Sequence, residues 1–84
     1  NAEDPANPDI LNYLGLCSEK LEFYENAEIY YLLGLELNEK HKSIKYNLGV
    51  FYNNQNRISD ANDILNSLKN CECEEYENLK MLIN

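Results

Sequence analysis

Residues 10–18, ILNYLGLCS, are followed 34 positions later by a related stretch, IKYNLGVFY, at residues 44–52. The identical residues at this offset are Ile10, Leu14, Gly15 and Ala27, which recur as Ile44, Leu48, Gly49 and Ala61. Softer matches accompany them, such as Tyr31 with Leu65. A constant offset carried through a chain of 84 residues indicates an internal repeat, and this repeat decides the fold.

The apolar residues of each unit lie three and four positions apart, which is the spacing of one face of an α-helix. The stretch Asn7-Pro8-Asp9 is typical of a helix start, because Asn caps, Pro fits the first turn and an acid suits the positive helix end. No strand-like alternation competes with this interpretation. The sequence therefore predicts five helices, over residues 8–21, 25–38, 41–55, 59–70 and 74–84. Ser59 is the predicted cap of the fourth.

The repeated residues resemble the tetratricopeptide repeat family, whose pattern is a large residue, Leu-Gly, an aromatic, Ala and another aromatic. The first copy reads Leu11, Leu14, Gly15, Ser18, Ala27 and Tyr31, and the second reads Lys45, Leu48, Gly49, Tyr52, Ala61 and Leu65. The resemblance covers about residues 5–84, with Ser18 and Lys45 departing from the usual large apolar residues. It implies an all-α fold, a right-handed superhelical stack of antiparallel helix pairs, that is, a tetratricopeptide-like α-solenoid.

The offset also divides the chain. We expect a lead-in turn at residues 1–7, repeat 1 at 8–41, repeat 2 at 42–75, and the start of a third repeat or a capping helix at 76–84. In the third pass Leu79 follows Leu11 and Lys45, and Leu82 follows Leu14 and Leu48. The lead-in resembles the turn that closes a preceding repeat, so we expect the parent protein to contain more repeats. Asn1-Ala2 is open to interpretation as the remnant of a tag.

The charge of the chain disfavours some classes of binding partner. The formal net charge is −8, with −7 in residues 1–41 (nine acids, two bases) and −1 in residues 42–84 (six acids, five bases). Such a chain lacks the basic footprint that nucleic acid or an anionic membrane surface requires. No apolar run approaches the roughly 20 residues of a membrane span, and we expect no secretory leader, since the first residues lack the pattern of one. Three cysteines without a scaffold-like spacing favour free thiols in a reducing, cytoplasmic setting.

The family resemblance implies a concave groove lined by the first helix of each repeat, where a partner peptide or helix lies. Carried over residue by residue, the groove comprises Asn12, Tyr13, Leu16, Glu19, Lys20, Tyr46, Asn47, Val50, Asn53 and Asn54. Asp9 and Ser43 extend this set, and Glu77 and Lys80 join it from the third pass. The alternative is that these are solvated residues of an Asn-rich helix face.

One family subtype holds a C-terminal carboxylate with a clamp of Lys, Asn and Arg side chains. Asn47 matches one clamp asparagine, but the other corresponding positions are Asn12, Leu16, Glu77 and Met81, which supply no cation. Without Lys or Arg to pair the carboxylate, that activity is disfavoured, and a neutral or basic peptide fits the charge better. The acids of the second helix, such as Glu28, are expected on a solvated convex face.

The remaining reactive residues favour no catalytic or metal site. Cys71-Glu72-Cys73 has one intervening residue, whereas structural zinc sites use two to four, and Cys17 is expected in the core. His41 lies at the repeat junction, where a turn or capping role is more usual than that of a base. No nucleophile pattern or phosphate-binding glycine loop is present. We expect no enzyme activity, no cofactor and no metal.

Three interpretations remain. The first is a non-catalytic module that binds a partner peptide or helix in the concave groove. The second is an architectural segment that associates with further repeats or with a second copy, giving a homo-oligomer through exposed repeat ends. The third is an accessory domain of a larger enzyme or signalling protein.

Overall fold

The computed structural model describes residues 7–83, and within them the chain forms five helices and no strand. They are α1 Pro8–Lys20, α2 Tyr24–Leu37, α3 Lys42–Asn54, α4 Ile58–Ser67 and α5 Glu74–Ile83. The all-α prediction is confirmed, and the largest boundary error is at the end of α4, predicted at residue 70 and found at 67. The lead-in before Asn7 and the predicted final residue Asn84 lie outside the described residues. None of the described helices is long and apolar enough to cross a membrane.

The first two helix pairs are built alike. The starts of α1 and α3 differ by 34 in residue number (42 − 8), and so do the starts of α2 and α4 (58 − 24). Each pair turns on a residue in the left-handed region, Glu22 at φ 65° and Asn56 at φ 63°, which are separated by the same offset. The backbone N–H groups after these residues donate back to the ends of α1 and α3 at 2.8 Å, from Phe23 to Ser18 and from Arg57 to Tyr52. This pattern ends a helix by satisfying its last carbonyls.

The helix starts have different caps. The Asn7 side chain accepts a hydrogen bond from the Asp9 N–H at 2.8 Å, so the predicted start of α1 is confirmed. The His41 Nδ1 accepts from the Ile44 N–H at 3.2 Å, which confirms the capping role predicted for this histidine. The predicted Ser59 cap is wrong, because α4 begins at Ile58 and Ser59 lies inside its first turn.

The core lies where small residues let helices approach. Ala27 and Ala61 are fully buried. Gly15 faces the ring of the fully buried Tyr31, whose edge in turn packs on Phe51 with 6.3 Å between ring centroids. The core cluster thus joins α2, α3 and α4 through residues that include Tyr31, Phe51 and Tyr52, and α1 approaches it where Gly15 faces the Tyr31 ring.

The two copies of the repeated face differ in how they are covered. Ile44, Leu48 and Phe51 form one stripe of α3, and α2 packs over it so that Ile44 is 0% exposed. The equivalent stripe of α1 is Ile10, Leu14 and Cys17, and Ile10 is 50% exposed. The expectation that Cys17 lies in the core is therefore wrong, because nothing among the described helices covers this face and the thiol is exposed.

α5 does not repeat the packing of α3. It contacts α3 more than α4, whereas α3 contacts α2 more than α1. Leu79 is fully buried against Gly49 and Ile83 packs on the core, but Leu82 is 50% exposed. Leu82 is therefore not the buried counterpart of Leu48, because α5 packs on a different face from the one that the repeat register predicts.

An acid of α2 joins the two helix pairs. The Glu28 carboxylate accepts a hydrogen bond from the Tyr52 hydroxyl and another from Arg57 Nη1, each at 2.8 Å. Arg57 also lies over the Tyr52 ring, 4.5 Å from its centroid, and donates to Asp60. The expectation that Glu28 is merely a solvated outer acid is wrong, because its side chain is half-buried and bonded to the next helix pair.

The Glu28 contacts predict a loss of stability in acid. The hydrogen bond from Arg57 lowers the pKa of Glu28 below its ordinary value of 4.5, outweighing the opposing effect of burial. A lowered folded-state pKa gives stability that is present above the unfolded-state value and is lost as the pH falls through the folded-state value. Glu28→Gln should cost about 1 kcal/mol at pH 7 and flatten this acid dependence.

Urea unfolding at neutral pH and at stepped pH values below 4.5 measures the effect. Glu25→Gln, an exposed position on the same helix, is the control and should leave the acid dependence unchanged. Equal slopes for the two variants would contradict a stabilising role for the Glu28 contacts.

Candidate functional site

A polar cavity of about 320 Å³ lies where α1, α3 and α5 meet. Its lining comprises Asn12, Ser43, Tyr46, Asn47, Glu74, Glu75 and Asn78. The cavity exists because α1 and α3 run side by side as first helices of their pairs, and α5 adds a third wall through its contact with α3. Concave surfaces with a few convergent polar groups are the usual place for a ligand.

The chemistry of the cavity is dominated by amides, one aromatic ring and two carboxylates. Asn47 Nδ2 donates to Asn12 Oδ1 at 2.9 Å, which fixes the two amides relative to each other across neighbouring helices. Each amide keeps further donor or acceptor capacity, which suits a peptide backbone. Glu74 and Glu75 make the lining acidic, and no Lys or Arg is part of it.

The cavity includes three of the ten residues predicted for the groove, namely Asn12, Tyr46 and Asn47, together with the added Ser43. The other seven do not line it: Tyr13, Leu16, Glu19, Lys20, Val50, Asn53 and Asn54. Glu19 accepts a hydrogen bond from the Tyr31 hydroxyl, so its carboxylate supports the core instead of facing a ligand. Burial of Tyr31 raises the pKa of its phenol well above the ordinary value, and the hydrogen bond to Glu19 raises it further.

Several other predicted groove residues have intramolecular partners. Asp9 lies 2.7 Å from His41 Nε2, joining the starts of α1 and α3. Asn53 donates to the Leu82 carbonyl at 3.4 Å, and the Lys80 ammonium lies 5.8 Å from the Tyr76 ring centroid. The contacts of Asp9 and Asn53 join neighbouring helices, the contact of Lys80 lies within α5, and none of the three residues lines the cavity.

The sequence prediction missed the residues that α5 contributes. Extending the repeat offset had pointed to Glu77 and Lys80, but the lining residues are Glu74, Glu75 and Asn78. The offset that relates Ser43 to Glu75 (75 − 43) is 32, and so is the offset from Tyr46 to Asn78 (78 − 46). The signal for this shift is the start of α5, since the starts of α3 and α5 also differ by 32 in residue number (74 − 42).

Within residues 7–83, no group of three or more His, Cys, Asp or Glu side chains is placed to hold a metal ion. The cavity lining offers hydroxyls, amides and carboxylates as hydrogen-bonding and charged groups. No family model, no curated protein and no solved structure matches this chain.

Proposed function

We propose that the chain is a tetratricopeptide-like repeat segment that binds a peptide or helix of a partner protein in the cavity between α1, α3 and α5, without catalysing a reaction. The observation that carries the proposal is the Asn12–Asn47 pair, in which equivalent helices present amides side by side in one cavity. An amide pair of this kind offers donors and acceptors to an extended backbone, and Tyr46 adds apolar area with a polar tip.

The proposal includes a right-handed superhelical stack of the helix pairs. It is supported by the equal spacing of the helix starts in the first two pairs, and by the matching left-handed turns at Glu22 and Asn56. In such stacks each unit buries its apolar face against its neighbour, and the concave side is the usual binding surface.

The charge of the lining favours a neutral or basic partner segment. Glu74 and Glu75 lie on one wall, and a peptide carboxylate or phosphate would meet no opposing cation in the cavity. A Lys or Arg side chain of the partner would find carboxylates within an otherwise uncharged set of amides and hydroxyls.

Selection from a library of random displayed peptides tests the proposal, followed by affinity measurements with variants. Tyr46→Ala with Asn47→Ala should weaken the selected peptides about ten-fold or more, because both side chains line the cavity. The matched control is Tyr13→Ala with Asn54→Ala, which removes the same side-chain types from exposed positions on α1 and α3. Its affinity should change less than about two-fold. Equal losses, or none, would contradict binding in the cavity.

A second candidate function is architectural, as a segment that stacks on another helix pair. The open stripe of Ile10, Leu14 and Cys17 favours it, since the equivalent stripe of α3 is covered by α2. A second copy or a further repeat would bury this stripe in the same way. Sedimentation equilibrium over a range of protein concentrations tests self-association, and a monomer at every concentration would contradict association with a second copy.

A further inference from the structure

The linker between α4 and α5, residues 68–73, contains a bond that the sequence did not predict. Cys71 and Cys73 are joined as a disulfide, with their Cα atoms 5.2 Å apart, so the expectation of free thiols is wrong for these two residues. Glu72 between them has φ 52°, in the left-handed region, and the Cys71 N–H donates to the Leu68 carbonyl at 3.0 Å. Cys17 is the free cysteine of the chain.

The spacing of the two cysteines argues against a purely structural purpose. The stabilisation that a disulfide gives by restricting the unfolded chain grows with the length of the loop it closes, and this bond spans a sequence separation of 2. The ring that it closes includes Glu72, whose backbone lies in a region that side chains other than glycine rarely adopt. The bond therefore adds little to the fold while constraining the linker. Both cysteines are only half-buried, so a thiol can reach them.

Cys71 also lines a second cavity, of about 460 Å³, between the α2–α3 turn, α3 and the end of α4. The complete lining is Glu39, Lys40, Lys42, Lys45, Ser67, Leu68, Asn70 and Cys71. Three of the seven basic residues of an acidic chain thus line the same cavity as Cys71, together with a single acid. Positive charge beside a cysteine favours its thiolate, the form in which a sulfur leaves a disulfide.

We propose that the Cys71–Cys73 pair is a reversible thiol–disulfide exchange site whose reaction partner is a thiol, either a small thiol or a protein dithiol. The partner's thiolate attacks Cys73 Sγ, forming a mixed disulfide, while the Sγ–Sγ bond breaks and its electron pair leaves with Cys71, as a thiolate in the cavity that the lysines also line. A second partner thiolate then attacks the partner sulfur of the mixed disulfide and releases the Cys73 thiolate. Two electrons pass from the partner thiols to the pair, the partner leaves as a disulfide, and the protein thiolates take protons from water.

The first test counts thiols in a Cys17→Ser background, which removes the exposed cysteine outside the pair. Alkylation followed by mass spectrometry should find no reactive thiol in the oxidised protein and two after equilibration with reduced glutathione, with reversal in oxidised glutathione. In a Cys17→Ser, Cys71→Ser variant treated with oxidised glutathione, the Cys73 thiolate should attack the glutathione disulfide, release one glutathione as a thiolate and retain the other as a mixed disulfide, because the Cys71 sulfur that would displace it is absent. A helical circular dichroism spectrum in both redox states shows that the fold persists.

The second test asks whether the lysines assist the exchange. Lys42→Gln with Lys45→Gln should slow reduction by dithiothreitol, a neutral dithiol, about two- to five-fold, because the leaving thiolate loses nearby positive charge. Lys20→Gln with Lys80→Gln removes the same charge away from this cavity and should leave the rate unchanged.

Two alkylatable thiols that persist in oxidised glutathione would overturn the proposal, as would a pair that neither glutathione nor a protein dithiol such as reduced thioredoxin can reduce. Equal reduction rates for the two lysine pairs would overturn the assignment of Cys71 as the leaving sulfur. Reduction by glutathione would support the proposal with small thiols among the partners, and reduction by the protein dithiol alone would support it with that class as the partner.

Discussion

Ile44→Ala is expected to lower the free energy of unfolding by about 3 kcal/mol, within the range of roughly 2–5 kcal/mol for truncating a buried isoleucine. Ile44 is fully buried under α2. Its Cδ1 packs so closely on Gly34 that a Cβ added to this glycine would lie 2.6 Å from it. The truncation thus leaves a cavity between the two helix pairs that the surrounding side chains cannot fill. A domain of this size has a total stability of roughly 4–13 kcal/mol, so the variant loses a large share of it.

The internal repeat provides a matched control for this prediction. Ile10→Ala removes the same atoms from the equivalent position of α1, where the side chain is 50% exposed. It should cost less than about 1 kcal/mol, because little apolar surface returns to water. Thermal unfolding measures both, with the midpoint falling about 4–8 °C for each kcal/mol in a domain of this size. A loss at Ile10 as large as that at Ile44 would show that another helix pair or a second copy covers α1 in solution.

The contrast between these two isoleucines shows what the repeat pattern could and could not predict. The constant offset predicted the first two helix pairs well, because helix periodicity and turn residues act locally and recur in both copies. The exposure of Ile10 and the thiol of Cys17 could not follow from it, since burial depends on whether a neighbouring unit is present. Equal sequence positions do not have equal surroundings in a stack.

Part of the candidate site could likewise be predicted from the repeat, and part of it depends on packing between helices. Asn12 and Asn47 lie on helices whose positions the repeat determines, and both line the cavity. The third wall depends on α5, which follows an α4 that is shorter than α2 and a linker closed by the Cys71–Cys73 bond. α5 starts 32 residues after α3 and not 34, so Glu74, Glu75 and Asn78 do not follow from the offset alone.

Gly15 of α1 and Gly49 of α3 are equivalent in the repeat but face different side chains. Gly15→Ala should destabilise the chain by about 1–2 kcal/mol, although alanine favours a helix over glycine by about 1 kcal/mol. An added Cβ would lie 2.7 Å from Cδ1 and 2.8 Å from Cζ of Tyr31, and closer still to Cε1. This ring cannot move aside, because it is rigid and its hydroxyl is held by the hydrogen bond that it donates to Glu19.

Gly49→Ala, at the equivalent position of α3, should change the stability by less than about 1 kcal/mol. Its added carbon would meet the side-chain end of Leu79, at 2.5 Å from Cδ2 and 3.0 Å from Cδ1, and a flexible leucine can turn away where a fixed ring cannot. Urea unfolding of the two glycine variants measures the difference. Similar losses at both positions would show that the helix backbone, and not the facing side chain, sets the effect.

A double-mutant cycle isolates the contact between Gly15 and Tyr31. The second copy has Leu65 where the first has Tyr31, so Tyr31→Leu introduces a residue that the repeat already uses at this position. In the Tyr31→Leu background, Gly15→Ala should become neutral or stabilising by up to about 1 kcal/mol, because the rigid ring is gone and only the helix preference of alanine remains. The expected coupling energy is about 1–3 kcal/mol, and additive effects would contradict a steric origin. A glycine shared by the two copies thus has a different physical cause in each, since Tyr31 faces Gly15 whereas Leu79 of α5 faces Gly49.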